Sequence, residues 1–159
     1  MRKDQILMGI AFVSTGLAVI SQGAVTAFPG AEGFGAKTPG GRGGKVVIVS
    51  NLNDAGPGSF REACEETPGP RMVVFAVSGL IDLQTPIEII EPNITIAAQT
   101  APGEGICLRR CGLVVRTNDV IVRFLRSRPG PISGKDMDAL GMGGGATGAF
   151  CFFYRGKGA

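Results

Sequence analysis

Residues 81–122 read IDLQTPIEIIEPNITIAAQTAPGEGICLRRCGLVVRTNDVIV. Short apolar runs recur in it: Ile81-Asp82-Leu83, Ile87-Glu88-Ile89 and Ile94-Thr95-Ile96, then Ile106-Cys107-Leu108, Leu113-Val114-Val115 and Val120-Ile121-Val122. Each is short and apolar at alternate positions, as a half-buried strand is, and turn residues separate most of them. Ile81 to Ile106 is 25 positions, Ile87 to Leu113 is 26 and Ile94 to Val120 is 26. Three strands therefore repeat as a set at a near-constant offset, which describes one coil of a parallel β-helix. One coil cannot bury its own apolar face, so coils must stack, and Ile94 is predicted to lie beside Val120 in adjacent coils. An antiparallel sandwich is disfavoured, because no Asn-Gly hairpin signal separates the runs.

Upstream, Asn53-Asp54-Ala55-Gly56-Pro57-Gly58 is a turn cluster. Ser59, with Glu62 three residues on, opens a short helix through a capping box. Phe60, Ala63 and Cys64 give this helix one apolar face, and Pro68-Gly69-Pro70 ends it. Such a helix is expected to cap the N-terminal end of the β-helix, covering strand edges and column residues. The glycine-rich stretch FPGAEGFGAKTPGGRGG, residues 28–44, is not a phosphate loop. Val46 follows Gly44-Lys45 where Ser or Thr is needed, and a strand follows where a helix is needed. Its glycines read as tight backbone turns.

Arg2 and Lys3, the apolar stretch Ile6 to Ile20, and small or permissive residues up to Ala27 form a signal peptide over residues 1–27. The stretch is short for a membrane span. Export and an oxidising compartment are expected, with no membrane attachment after cleavage. The chain has 159 residues, 44% of them hydrophobic, which excludes disorder. The formal charge of +3, or +2 without Arg2, Lys3 and Asp4, is too small and scattered for a nucleic-acid binder. Cys64, Cys107, Cys111 and Cys151 allow three pairings. A local Cys107–Cys111 bridge and buried free thiols both remain open. Without histidine, and with this spacing, no zinc pattern is present.

The ordered motifs AFPGAEGFGAKTPGGRGG, NLNDAGPGSFREA, VSGLIDL, NITIAAQTAPGEGI and NDVIVRFLRSRPG resemble secreted bacterial pectate lyases, from about Ala27 to about Gly145. The resemblance implies an all-β, right-handed parallel β-helix and calcium-dependent β-elimination of polygalacturonate. Asp136-Met137-Asp138 resembles that family's Asp-x-Asp calcium motif, and in an extended segment both carboxylates face one way. A solvated acidic turn is the plain alternative. Arg126, Arg128 and Lys135 are candidate contacts for an acidic polysaccharide. Arg123 reads better as a charge that blocks a strand edge. No residue is assigned as the proton-abstracting arginine, which in the family sits on a later coil.

Residues 28–145 are thus expected to form the N-terminal coils, and 146–159 a divergent tail in which Phe150, Phe152, Phe153 and Tyr154 follow no coil repeat. An incomplete β-helix, from a truncated or frameshifted gene, a fragment or a misplaced stop, is the expectation. The chain alone is then expected to be a poorly soluble monomer with negligible lyase activity. The competing expectations are a non-catalytic polysaccharide-binding β-helix and an inactive remnant.

Overall fold

The stacking expected of Ile94 and Val120 is observed: the two are register partners in neighbouring parallel strands. In this computed structural model, residues 25–134 and 138–144 are described, with the backbone of 150–153. Residues 1–24, which hold most of the expected signal peptide, lie outside the described residues. No helix among the described residues is long and apolar enough to cross a membrane.

Among the described residues, eleven strands are formed. They are β1 (Lys45–Val49), β2 (Arg71–Phe75), β3 (Gly79–Asp82), β4 (Ile87–Ile89), β5 (Ile94–Ala97) and β6 (Ile106–Arg109). Then follow β7 (Leu113–Val115), β8 (Val120–Arg123), β9 (Arg126–Arg128), β10 (Leu140–Met142) and β11 (Phe150–Phe153). They assemble into three sheets, ordered β1-β2-β5-β8-β11, β3-β6-β9 and β10-β7-β4. Every pairing is parallel. The chain visits the sheets in rotation, so β2-β3-β4, β5-β6-β7 and β8-β9-β10 are successive coils of a parallel β-helix.

The core is the set of inward columns. Val73, Ile96 and Val122 stack in the first sheet, Ile81 and Leu108 in the second, Ile87 and Leu113 in the third. All but Val122 are at most 1% exposed. A fully buried side chain of this kind contributes about 1.5–3 kcal/mol over its exposed form, which offsets the ordering of the short strand that carries it, about 1–2 kcal/mol per residue, only in part. In β10, Leu140 and Met142 continue the columns of Leu113 and Val115 but are 39% and 58% exposed.

The register corrects one alignment. Ile81 pairs with Leu108, and Ile106 pairs with Gly79. The slip is two residues, so the inward face is unchanged. Residues 150–153, expected to follow no coil repeat, extend the first sheet by pairing with β8. Phe150 pairs with Val120, a longer offset than the coils before it, and the glycine-rich stretch between hides it from a fixed-period reading.

A helix forms where expected. Ser59 Oγ accepts the Glu62 amide at 3.2 Å, and the Glu62 carboxylate accepts the Gly58 amide at 2.6 Å, one residue earlier than a capping box requires. From Glu62 to Glu66 the turn is π-type. It lies between β1 and β2 in the chain and packs against β4 and β1. Phe60 meets Phe75 with ring centroids 5.3 Å apart.

The glycine-rich segment before β1 crosses the outer face of the first sheet. Phe28 packs on Ile121, and the Gly41 amide donates to Thr95 Oγ1 at 2.9 Å. At Gly41 and Gly44 the requirement is close approach rather than turning. A Cβ there would overlap the backbone carbonyls of Arg71 and Pro70.

Candidate functional site

Alternation along the second sheet sets its outer face. Leu80, Cys107 and Arg126 form one outward row, and Asp82, Arg109 and Arg128 the next. Arg109 donates to Asp82 from Nε at 3.3 Å and Nη2 at 3.1 Å. Arg110 donates from Nε at 3.1 Å and Nη2 at 2.8 Å. Two guanidinium forks therefore grip one carboxylate. Arg110 reaches it because its backbone is left-handed, with φ 73°, at the corner after β6. These hydrogen bonds, Arg110's first and then Arg109's, hold the Asp82 carboxyl well below the usual carboxylate range. A depressed folded pKa contributes stability that is present above the unfolded value, about 4, and is lost as pH falls below it. Asp82→Asn should therefore lower the unfolding midpoint at neutral pH, with the gap to the parent closing below about pH 4. Unfolding curves across that range check it; a gap that stays constant refutes it.

Arg126 is half-buried, and its Nη2 donates to the Glu104 carbonyl. Arg128 is exposed beside Arg109. Asp138 is exposed and lies two residues before β10. Its segment is held at the corner between the second and third sheets. Ser127 Oγ of β9 donates to the Ala139 carbonyl at 2.6 Å, and the carbonyls of Asp138 and Ala139 press against Gly112, where a Cβ would overlap them. Thus β9 carries both arginines and anchors the segment of the acid. Lys135 and Asp136 lie outside the described residues. Among the described residues no group of three or more His, Cys, Asp or Glu could hold a metal ion. Asp138 is a suitable hard oxygen donor, but calcium takes six to eight oxygens and one carboxylate does not make a site.

Arg123 differs from expectation. Strand β8 lies inside its sheet between β5 and β11. The Arg123 guanidinium sits 4.3 Å from the Phe28 ring centroid and 5.2 Å from that of Phe124, a packing role rather than an edge charge. Cys64, Cys107 and Cys111 are free thiols. Cys107 points outward on β6 while Cys111 joins the core, so the two face opposite ways. Burial pushes the Cys64 thiol far up, which makes it inert.

The sequence reading missed Asp82, Arg109 and Arg110. Aligning Ile81 with Ile106 sets Asp82 against Cys107, whereas the true register sets it against Arg109. The Arg109-Arg110 doublet was the available signal.

No protein-family profile matches the chain. Individual proteins do. It is 43% identical over 141 residues to probable pectate lyase C of Aspergillus terreus, an overlap of 88% of this chain and 33% of that protein. The corresponding values for probable pectate lyase C of Aspergillus fumigatus are 47% over 132 residues, 81% and 31%. For that of Emericella nidulans they are 49% over 116 residues, 71% and 27%. The chain is similar to these probable pectate lyases along most of its length. The resemblance drawn from the sequence was to bacterial members, whereas these relatives are fungal, so the likeness supported is to pectate lyases at large. The chain spans about a third of the length of the curated relatives it matches. The pectate lyase likeness runs through the stacked coils and through the arginine-bearing strands of the second sheet.

Proposed function

We propose that this chain forms the N-terminal coils of a secreted pectate lyase and takes part in calcium-dependent β-elimination of polygalacturonate. The observation that carries the reading is 43–49% identity to probable pectate lyases along most of the chain. The outer face of the second sheet supports it. Arg109, Arg126 and Arg128, with Arg110 at the corner, outnumber Asp82 and the neighbouring Glu104, and such a face attracts a polyanion. In this reading Arg126, Arg128 and Lys135 contact substrate carboxylates, and Asp136 and Asp138 donate two oxygens to calcium. Bound calcium supplies an electrophilic clamp on a uronate carboxylate. Export through residues 1–27 delivers the protein, as a monomer, to its polysaccharide.

The test joins two measurements on the purified protein. Polygalacturonate is incubated with calcium or with chelator, and unsaturated uronates are followed by ultraviolet absorbance. Calcium binding is followed by calorimetry for the parent and Asp138→Ala. Calcium-dependent product from the lyase that contains these coils, little or none from this chain alone, and a lost calcium response in Asp138→Ala are expected. Binding of polygalacturonate without product would favour the second reading, a non-catalytic polysaccharide-binding β-helix. That reading draws on the same cationic face. An unchanged calcium response in Asp138→Ala removes the metal assignment.

A further inference from the structure

The corner between the first and second sheets carries a cleft of ≈ 440 Å³. Its walls are the turn after β5, with Gln99, Gly103 and Glu104, and the step from β8 to β9, with Phe124 and Arg126. Phe124 is left-handed, with φ 59°. At two other corners the same backbone is taken by Asn93 and Asp119, residues that adopt it readily. An aromatic residue adopts it rarely, so the turn alone does not account for phenylalanine here. Its ring packs partly on the core and also lines the cleft. Two residues on, Arg126 shares the cleft wall, with one N–H committed to the Glu104 carbonyl.

We infer that this cleft is a subsite for one uronate unit of an acidic polysaccharide, an assignment that rests on the substrate class proposed above. A pyranose uronate has an apolar C–H face and a carboxylate edge. An aromatic ring and a guanidinium side by side match those two surfaces. Gln99 offers amide groups to the ring hydroxyls. Arg128 follows Arg126 on β9, with Arg109 beside it on β6, so the next anionic units meet further cations along the same sheet. The Glu104 carboxylate opposes this charge pattern, and its removal should tighten binding.

The experiment measures binding of saturated trigalacturonate in chelator, with a neutral galactose trisaccharide as control, by calorimetry. The uronate should bind and the neutral sugar should not. Arg126→Gln should weaken binding about tenfold, the size of a lost charge-assisted hydrogen bond. Phe124→Gly removes the ring yet suits the left-handed backbone, and should weaken binding about threefold. Glu104→Gln should tighten it, and Arg116→Gln, paired with Glu88 on another sheet, should leave it unchanged. Equal affinity for the neutral sugar, or unchanged affinity in both Arg126→Gln and Phe124→Gly, overturns the subsite. If Arg128→Gln alone weakens binding, the cleft is refuted while the acidic-polysaccharide reading stands. Uronate binding by no variant refutes both, and calcium-dependent product release separately reports on the lyase chemistry.

Discussion

Replacing Arg71 by alanine will destabilise the chain by about 3–5 kcal/mol, the cost of stripping the donor from a buried charged hydrogen-bond group. Arg71 is fully buried and occupies an inward position of β2, in register with Lys45 and Ile94. Its Nε donates to the Ala63 carbonyl at 2.9 Å, Nη1 to Gly69 at 3.1 Å and Nη2 to Cys64 at 2.6 Å. These carbonyls lie at and just after the helix Glu62–Glu66. In a π-type turn the Ala63 carbonyl would look to residue 68 for its donor, and Pro68 has no N–H. The arginine fork supplies what the chain cannot. Desolvation lowers the Arg71 pKa, and three aligned carbonyls keep the cation tolerable there. Arg71→Lys, which presents a point charge in place of a fork, should fall between parent and alanine. Urea unfolding followed by far-ultraviolet circular dichroism measures the series. An Arg71→Met variant as stable as the parent would show that the fork is dispensable.

Gly41→Ala should cost about 1–3 kcal/mol through overpacking and should release the segment that covers the first sheet. The new Cβ would overlap the Arg71 carbonyl, a backbone group that the sheet holds in place. The segment must then lift, which breaks the Gly41–Thr95 hydrogen bond and exposes Phe28 and Ile121. Gly43→Ala is the comparison. It meets open space, and its cost, about 1 kcal/mol, comes only from a left-handed φ of 76°. Limited proteolysis within residues 28–44, together with unfolding midpoints, separates the two. Equal cleavage rates and midpoints for both variants would show that close approach is not the constraint at Gly41.

The sequence by itself determined that three sheets of parallel strands stack as coils. Side-chain burial in a strand has period two, and a coil returns each residue beside its counterpart one coil on. Apolar alternation repeated near 26 residues is therefore a direct image of the stacking, and the Ile94–Val120 pair follows from it. The helix after Ser59 was legible for a similar reason, since its capping hydrogen bonds are local. The candidate contacts Arg126 and Arg128 were legible as part of a basic group before the Asp-x-Asp motif, and the structure placed them on one strand face.

Tertiary structure decided what depends on register to the residue and on contacts far apart in the chain. A slip of two residues preserves the apolar pattern, so only the assembled sheet places Asp82 between Arg109 and Arg110. Nothing local in the sequence says that Arg71 faces the core beneath a helix with undonated carbonyls. Arg123 misled in the same way, since its strand became an interior one covered by Phe28. Apolar periodicity reports which face is buried, a property of each strand alone. Charge pairing depends on which residues that burial brings within about 3 Å of one another, and the fold fixes that only once the coils have stacked.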